Sequence, residues 1–176
     1  HPDTTGGAGR VAAEEARQLA ALGVEVRVLT RLTDRAPERE EERDGYRIFR
    51  FPADRGLPHQ LFLSTRHGVS AGLAAATADW QPDLVDIHQP HVGFHLLRCP
   101  GFCSVPLVYH FHSSWADELK AKGGRNRLLA PLAARMEQRV LKQCAAAVVL
   151  SSYSRCRLSR LARRVPVAVV PGGVDL

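Results

Sequence analysis

The sequence predicts an α/β domain in which a parallel sheet is covered by helices on both faces. Three observations lead there. Short runs rich in β-branched residues alternate along the chain with amphipathic helical stretches. The strand-like runs are too continuously apolar for a sheet with one wet face. A glycine-rich loop, Gly6-Gly-Ala-Gly9, opens the first helical stretch, where a chain of this class makes a strand-to-helix turn.

The elements follow in order. Arg10 to Leu22 carries Val11, Ala12, Ala16, Leu19, Ala20 and Leu22 on one helical stripe, and Gly23 ends it. Val24 to Thr30 alternates as a strand. Pro37 to Asp44 is so charged that it predicts a solvated loop. Tyr46 to Phe51 is a second strand closed by Pro52, and a helix over about 61–79 stops before Pro82. Leu84 to His88 is a short buried-type strand, His91 to Leu97 a brief helix, and Pro106 to Phe111 another strand. Arg125 to Gln143 forms a long amphipathic helix with Leu128, Leu132, Met136, Val140 and Leu141 as its apolar positions. Ala145 to Leu150 is a strand, Ser151 or Ser152 caps a helix carrying Leu158 and Leu161, and Val165 to Val170 is the last strand.

Composition narrows the class. A chain of 176 residues with 45% hydrophobic and 24% charged residues has the make-up of an ordinary globular domain. No apolar run reaches the roughly 20 residues that span a bilayer. The net charge of +6 is spread along the chain. It suits an anionic small molecule or an anionic membrane surface better than nucleic acid. Cys99, Cys103, Cys144 and Cys156 read as buried free thiols of a reducing cytoplasm rather than a zinc or disulfide framework.

In an open parallel sheet, ligands bind beyond the carboxyl ends of the strands, so chemistry is sought in the loops there. Gly6 and Gly7 would let a phosphate approach the free N–H groups of the following helix. Gly7-Ala-Gly-Arg-Val-Ala12 also fits a dinucleotide fingerprint. With Thr30 and Arg31 in place of a carboxylate after the next strand, that points to an NADP-dependent oxidoreductase as an alternative. His110 and His112 alternate at a strand end and share a face. His112 is the candidate that touches substrate, and His110 reads as a buried, satisfied histidine. His88 ends its own strand, Asp117 and Glu118 follow Trp115 in one loop, and no metal site is expected from the His91/His95 pair. Arg155, Arg157, Arg160, Arg163 and Arg164 crowd the last helix, either as a solvated face or as an attraction to anionic lipid.

Several separated segments match one pattern: Gly6-Gly-Ala-Gly-Arg10, Gln18 to Thr30, Asp83-Leu-Val-Asp-Ile-His88, Pro106 to Trp115, Val148 to Arg155, and Val169-Val-Pro-Gly-Gly-Val-Asp175. In this order the chain resembles the N-terminal, Rossmann-like domain of a family 4 retaining glycosyltransferase of GT-B architecture. The resemblance implies transfer of a sugar from a nucleotide diphosphate sugar to a glycan, lipid or small-metabolite acceptor. It implies no cofactor and no obligatory metal. The thiols predict a cytoplasmic protein, and the basic stretch over 155–164, read as an attraction to anionic lipid, a peripheral contact with the inner face of the membrane. The resemblance implies that Gly6 and Gly7 contact the donor phosphates and that His112 sits at the donor sugar. Arg10, His88, Asp117 and Glu118 are acceptor-side candidates by position. Residues 1–170 would form the domain and 171–176 begin the passage to a donor-binding domain outside this sequence. The strand before the glycine loop is also missing from the pattern, so the chain alone is expected to be inactive and poorly stable. A non-catalytic module that binds glycans or a membrane surface is the remaining alternative.

Overall fold

The computed structural model describes residues 6–53, 58–102 and 104–172. The chain divides into two compact units, His1–Gln81 and Pro82–Leu176.

In the first unit, helix α1 (Gly7–Ala21) is followed by strands β1 (Arg27–Arg31), β2 (Glu40–Arg43) and β3 (Tyr46–Phe51) and by helix α2 (Pro58–Ala76). The sheet order is β1-β3-β2, with β1 parallel and β2 antiparallel to β3. Alternation along β3 gives it two buried faces. Tyr46 and Ile48 pack with Ala16 and Ala20 of α1 and with Val26 and Val28. Phe51 lies under α2, where Gly68 and Gly72 let the helix approach: a Cβ at Gly68 would come within 2.6 Å of Phe51, and one at Gly72 within 2.7 Å of Leu29.

The charged stretch expected to be a loop contains strand β2 instead. Asp44 (φ 51) and Gly45 (φ 83) supply the two positive φ values of a tight hairpin. The charge of β2 is used as well. Arg50 is buried in β3, and its Nη2 donates to Glu41 Oε2 at 2.5 Å while its Nη1 donates to the Glu38 carbonyl at 3.1 Å. Buried guanidinium and paired carboxylate satisfy each other, which a reading of charge density alone misses.

The second unit runs β4 (Val85–Ile87), α3 (Pro90–Leu96), β5 (Leu107–Phe111), α4 (Trp115–Lys122), α5 (Gly124–Leu141), β6 (Ala146–Val149), α6 (Ser152–Leu161) and β7 (Val167–Val169). Its four strands form one parallel sheet in the order β4-β5-β6-β7, joined by helices as parallel strands require. This is the α/β architecture with a parallel sheet that the sequence predicts. Ile87, Tyr109, Phe111, Ala147, Val149, Val140, Leu141 and Leu158 form its buried apolar interior. Gly93 of α3 stands where a Cβ would meet Ile87 at 2.8 Å and Val140 at 3.2 Å. Ser151 caps α6, its Oγ accepting from the Ser154 N–H at 3.1 Å. Helix α4 lies in a stretch the periodicity does not assign.

Among the described residues no helix is long and apolar enough to cross a membrane. Cys99 and Cys144 are buried thiols, whereas Cys156 is exposed, contrary to the expectation of burial, because it lies on the solvent side of α6. Burial pushes the Cys144 thiol up to about 12. Cys103 lies outside the described residues.

Candidate active site

Parallel pairing of β4 and β5 puts Ile87 level with Tyr109, so His88 and His110 stand side by side one residue further on. Alternation then brings Asp86, His88, His110 and His112 to one face at the carboxyl end of the sheet. The rings of His88 and His110 stack at 4.7 Å, those of His88 and His112 at 5.3 Å, and those of His110 and His112 at 5.3 Å. Nδ1 of His88 and Nε2 of His112 are 3.1 Å apart. Oδ2 of Asp86 lies 3.4 Å from Nε2 of His88 and 3.4 Å from Nδ1 of His110.

These contacts fix the protons. Burial alone would raise the Asp86 pKa, but hydrogen bonds from His110 and His88, with their charges, hold the carboxyl well below its usual range. A carboxylate only accepts, so the imidazole nitrogens facing it carry hydrogen. Neutral His88 with Nε2–H keeps its lone pair on Nδ1, and His112 Nε2–H donates to it. Asp86, His88 and His112 thus form a chain that orients the last imidazole in one tautomer, with the acceptor lone pair of His112 on Nδ1. His110 is buried and bonded to the same carboxylate, as expected of a satisfied core histidine. Among the described residues Asp86 Oδ1 is buried without a hydrogen-bond partner. Asp86, His88 and His110 each offer one ligand-type atom within 4.8 Å of the others.

The opposite face of β5 carries a second polar cluster. Glu137 of α5 is 1% exposed, and its Oε1 accepts from the Tyr109 hydroxyl at 2.9 Å. Its Oε2 accepts from the Trp115 N–H at 3.2 Å, so Glu137 caps the first turn of α4. Burial raises its carboxyl to about 7 against the help of these two hydrogen bonds, and the charges of Glu118 and Asp117 add to the rise. The Tyr109 hydroxyl is pushed up by burial and by the same carboxyl.

The other sequence candidates fall in distinct places. His88 and His112 are brought together. Asp117 is ion-paired with Arg157 of α6 and with Lys120 at 3.2 Å, and Glu118 accepts from the Ser113 hydroxyl. Asp117 is thus tied to α6 as well as to its own helix, and Glu118 is held by its own segment. His91 packs its ring on Trp115 at 5.7 Å, whereas His95 is buried in α3, so the pair does not converge on one point. Gly6, Gly7 and Arg10 belong to the first unit. Gly6 is the N-cap of α1 in extended conformation, Arg10 donates its backbone N–H to the Gly6 carbonyl at 3.3 Å, and the Arg10 side chain is exposed. A Cβ at Gly6 or Gly7 would meet nothing within 4 Å, so packing does not require glycine at either position.

Sequence reasoning missed Asp86 and Glu137. Asp86 was legible as Asp-x-His on one strand beside His-x-His on the next, since both repeats have the period of a strand face. Glu137 gave no signal, because a glutamate in an amphipathic helix reads as solvated.

In an open parallel α/β sheet ligands bind beyond the carboxyl ends of the strands, and the histidine cluster lies at that edge. The chain belongs to Glycosyltransferase Family 4, whose family model it matches over residues 5–176. No curated protein matches it. Among solved structures it is similar to sucrose-phosphate synthase from Thermosynechococcus elongatus, with a TM-score of 0.78 at 19% identity over 97% of this chain and 43% of that one. A second, shorter structure of sucrose-phosphate synthase from the same organism matches with a TM-score of 0.68 at 20% identity, over 94% of this chain and 85% of that one. At these identities the likeness is one of fold, the GT-B glycosyltransferase fold. The chain spans less than half the length of the first of these structures.

Proposed function

We propose that this chain is the N-terminal, acceptor-side domain of a retaining hexosyltransferase that moves a sugar from a nucleotide diphosphate sugar to an acceptor. The observation that carries the reading is the Asp86–His88–His112 chain at the carboxyl end of β4 and β5, supported by membership of the family. In the reaction the bond from the anomeric carbon to the diphosphate breaks. The acceptor oxygen forms the new bond on the same face, and its proton leaves with the nucleotide diphosphate. His112, locked in one tautomer, accepts a hydrogen bond from a donor-sugar hydroxyl and holds the sugar while positive charge develops at its anomeric carbon. The backbone N–H groups at Gly6 and Gly7 receive the donor phosphates. Arg10 is the acceptor-side residue with an uncommitted exposed position, and His88, Asp117 and Glu118 contribute to acceptor recognition through the partners they already hold. No cofactor or metal takes part, and the protein works in the cytoplasm with peripheral contact to anionic membrane.

The test uses the full-length protein with UDP- and GDP-sugars, following release of the nucleoside diphosphate and the anomeric configuration of the product. His112→Ala is expected to lower kcat by about 10²-fold or more while leaving the melting temperature within a few degrees. A wild-type protein that turns over neither class of donor yet binds NADPH would replace this reading with the oxidoreductase alternative.

A further inference from the structure

The region between Leu119 and Met136 is unusual in its charge and in what it leaves in water. It contains Lys120, Lys122, Arg125, Arg127 and Arg135 and no acidic residue. It forms the end of α4, a turn through Gly123 (φ 66) and Gly124 (φ 55), and the first two-thirds of α5. One side of α5 is committed to the core through Ala130, Ala133, Met136, Glu137, Val140 and Leu141. On the other side Leu128 is 80% and Leu132 54% exposed. Four residues apart, these leucines lie on one helical stripe, and Arg125 and Arg135 continue that stripe at three residues on either side. Arg127, Pro131, Lys120 and Lys122 are exposed as well. Lys120 also reaches Asp117, and the stretch is bounded by exposed Glu118 and buried Glu137.

We propose that this face of α4 and α5 docks on an anionic lipid bilayer, with Leu128 and Leu132 entering the headgroup boundary and the surrounding Lys and Arg side chains held by lipid phosphates. The combination selects that partner. A helix with leucines in the middle of a predominantly basic rim lies in the plane of a bilayer interface, and its binding adds apolar burial to attraction for anionic lipid. Nucleic acid would use the charge but not the leucines, since single-stranded bases stack on aromatic side chains and the stripe has none. The surface names a location for the peripheral contact in the proposed function and rests on that reading only for its biological purpose. Helix α4 begins three residues after His112, so docking would present an acceptor carried by the bilayer to the same segment that bears the candidate catalytic histidine.

The experiment is co-sedimentation of the full-length protein with vesicles rich in phosphatidylglycerol and with pure phosphatidylcholine vesicles. It is repeated as salt rises from about 0.1 M to about 1 M, which shortens the screening length from about 10 Å to about 3 Å. Binding is expected to the anionic vesicles and to be lost at high salt. Arg125→Ser/Arg127→Ser is expected to weaken it by about fivefold per charge, roughly 25-fold for the pair. Leu128→Ser/Leu132→Ser is expected to weaken it by about tenfold or more. All four positions are exposed, so unchanged circular dichroism and melting confirm that the variants fold. Arg155→Ser/Arg160→Ser on α6 is the comparison pair and is expected to cost less than the α5 pair. The proposal falls if the protein ignores anionic vesicles, or if the α6 pair abolishes binding while both α5 pairs leave it intact. Binding of polyuridine without any vesicle binding overturns it in favour of nucleic acid. A lipid-free dimer that the leucine pair dissociates overturns it in favour of a second copy of this chain.

Discussion

The two faces of strand β5 each meet a carboxyl, one partly and one fully buried, and the two behave in opposite ways. On the His110/His112 face, Asp86 is held below its usual pKa range; on the Tyr109/Phe111 face, Glu137 is raised to about 7. Burial pushes both upward. The difference lies in the partners: two imidazoles that can share or carry positive charge beside Asp86, against a neutral hydroxyl, a neutral N–H and two negative side chains near Glu137. One face of the strand is thus equipped to keep a charge and aim a side chain. The other fastens α4 and α5 to the sheet.

If Glu137 is a fastening, its removal should cost stability before anything else. Glu137→Ala leaves the Tyr109 hydroxyl and the Trp115 N–H without their acceptor and opens a cavity in the core. About 1–3 kcal/mol per unsatisfied buried group, with the cavity added, gives a loss of roughly 3–5 kcal/mol. For a chain of this size that lowers the melting temperature by roughly 6–20 °C. A loss below about 1 kcal/mol in chemical denaturation would mean that the cluster is not a fastening.

The raised carboxyl also gives stability a pH dependence of known sign. The folded state binds the Glu137 proton more tightly than the unfolded chain, whose carboxyl has its ordinary value of 4.5. Stability contributed by that proton is complete below 4.5 and is lost as pH rises through about 7. Ionising Glu137 in place costs up to about 3 kcal/mol at pH 8. Glu137→Gln keeps an oxygen for the Trp115 N–H and an amide that can donate to the Tyr109 oxygen, without a charge to bury. Relative to wild type it is expected to be near neutral at pH 5 and stabilising by about 1–3 kcal/mol at pH 8. Parallel stability–pH curves for the two proteins would show that Glu137 does not titrate in this window.

How much of this was readable in advance follows from the kind of signal each part leaves. The alternation of β-branched runs with helical stripes gave the parallel strands and nearly all the helices, because burial on both faces writes itself into local composition. Strand β2 was hidden: its residues are charged, and their pairing with the buried Arg50 depends on a hairpin that only the Asp44-Gly45 dipeptide announces. Helix α4 was hidden as well, since its first turn is capped by Glu137, 22 residues further along the chain. The sequence pointed to His88 and His112 as separate candidates at strand ends. Their meeting is a matter of register, Ile87 against Tyr109, which no local pattern encodes. Asp86 went unnoticed because its Asp-x-His repeat gains meaning only beside the His-x-His of the neighbouring strand, a pairing that register sets.

The smallest expected effect is the most informative about the other face. If Asp86 acts through His88 on His112, Asp86→Asn in the full-length protein should lower kcat by about tenfold to a hundredfold. The neutral amide presents an N–H as readily as an oxygen, so it no longer dictates which nitrogen of His88 carries hydrogen. The side chains are nearly isosteric and Asp86 is only partly buried, so the melting temperature should move little. A merely structural role predicts the reverse pattern, a lower melting temperature with kcat preserved. The decisive comparison is the double variant: with His112→Ala in place, the effect of Asp86→Asn on kcat should largely disappear, because the group it positions has gone. An undiminished effect in that background would detach Asp86 from His112 and leave the carboxylate acting through His88 itself or through His110, the imidazoles it touches among the described residues.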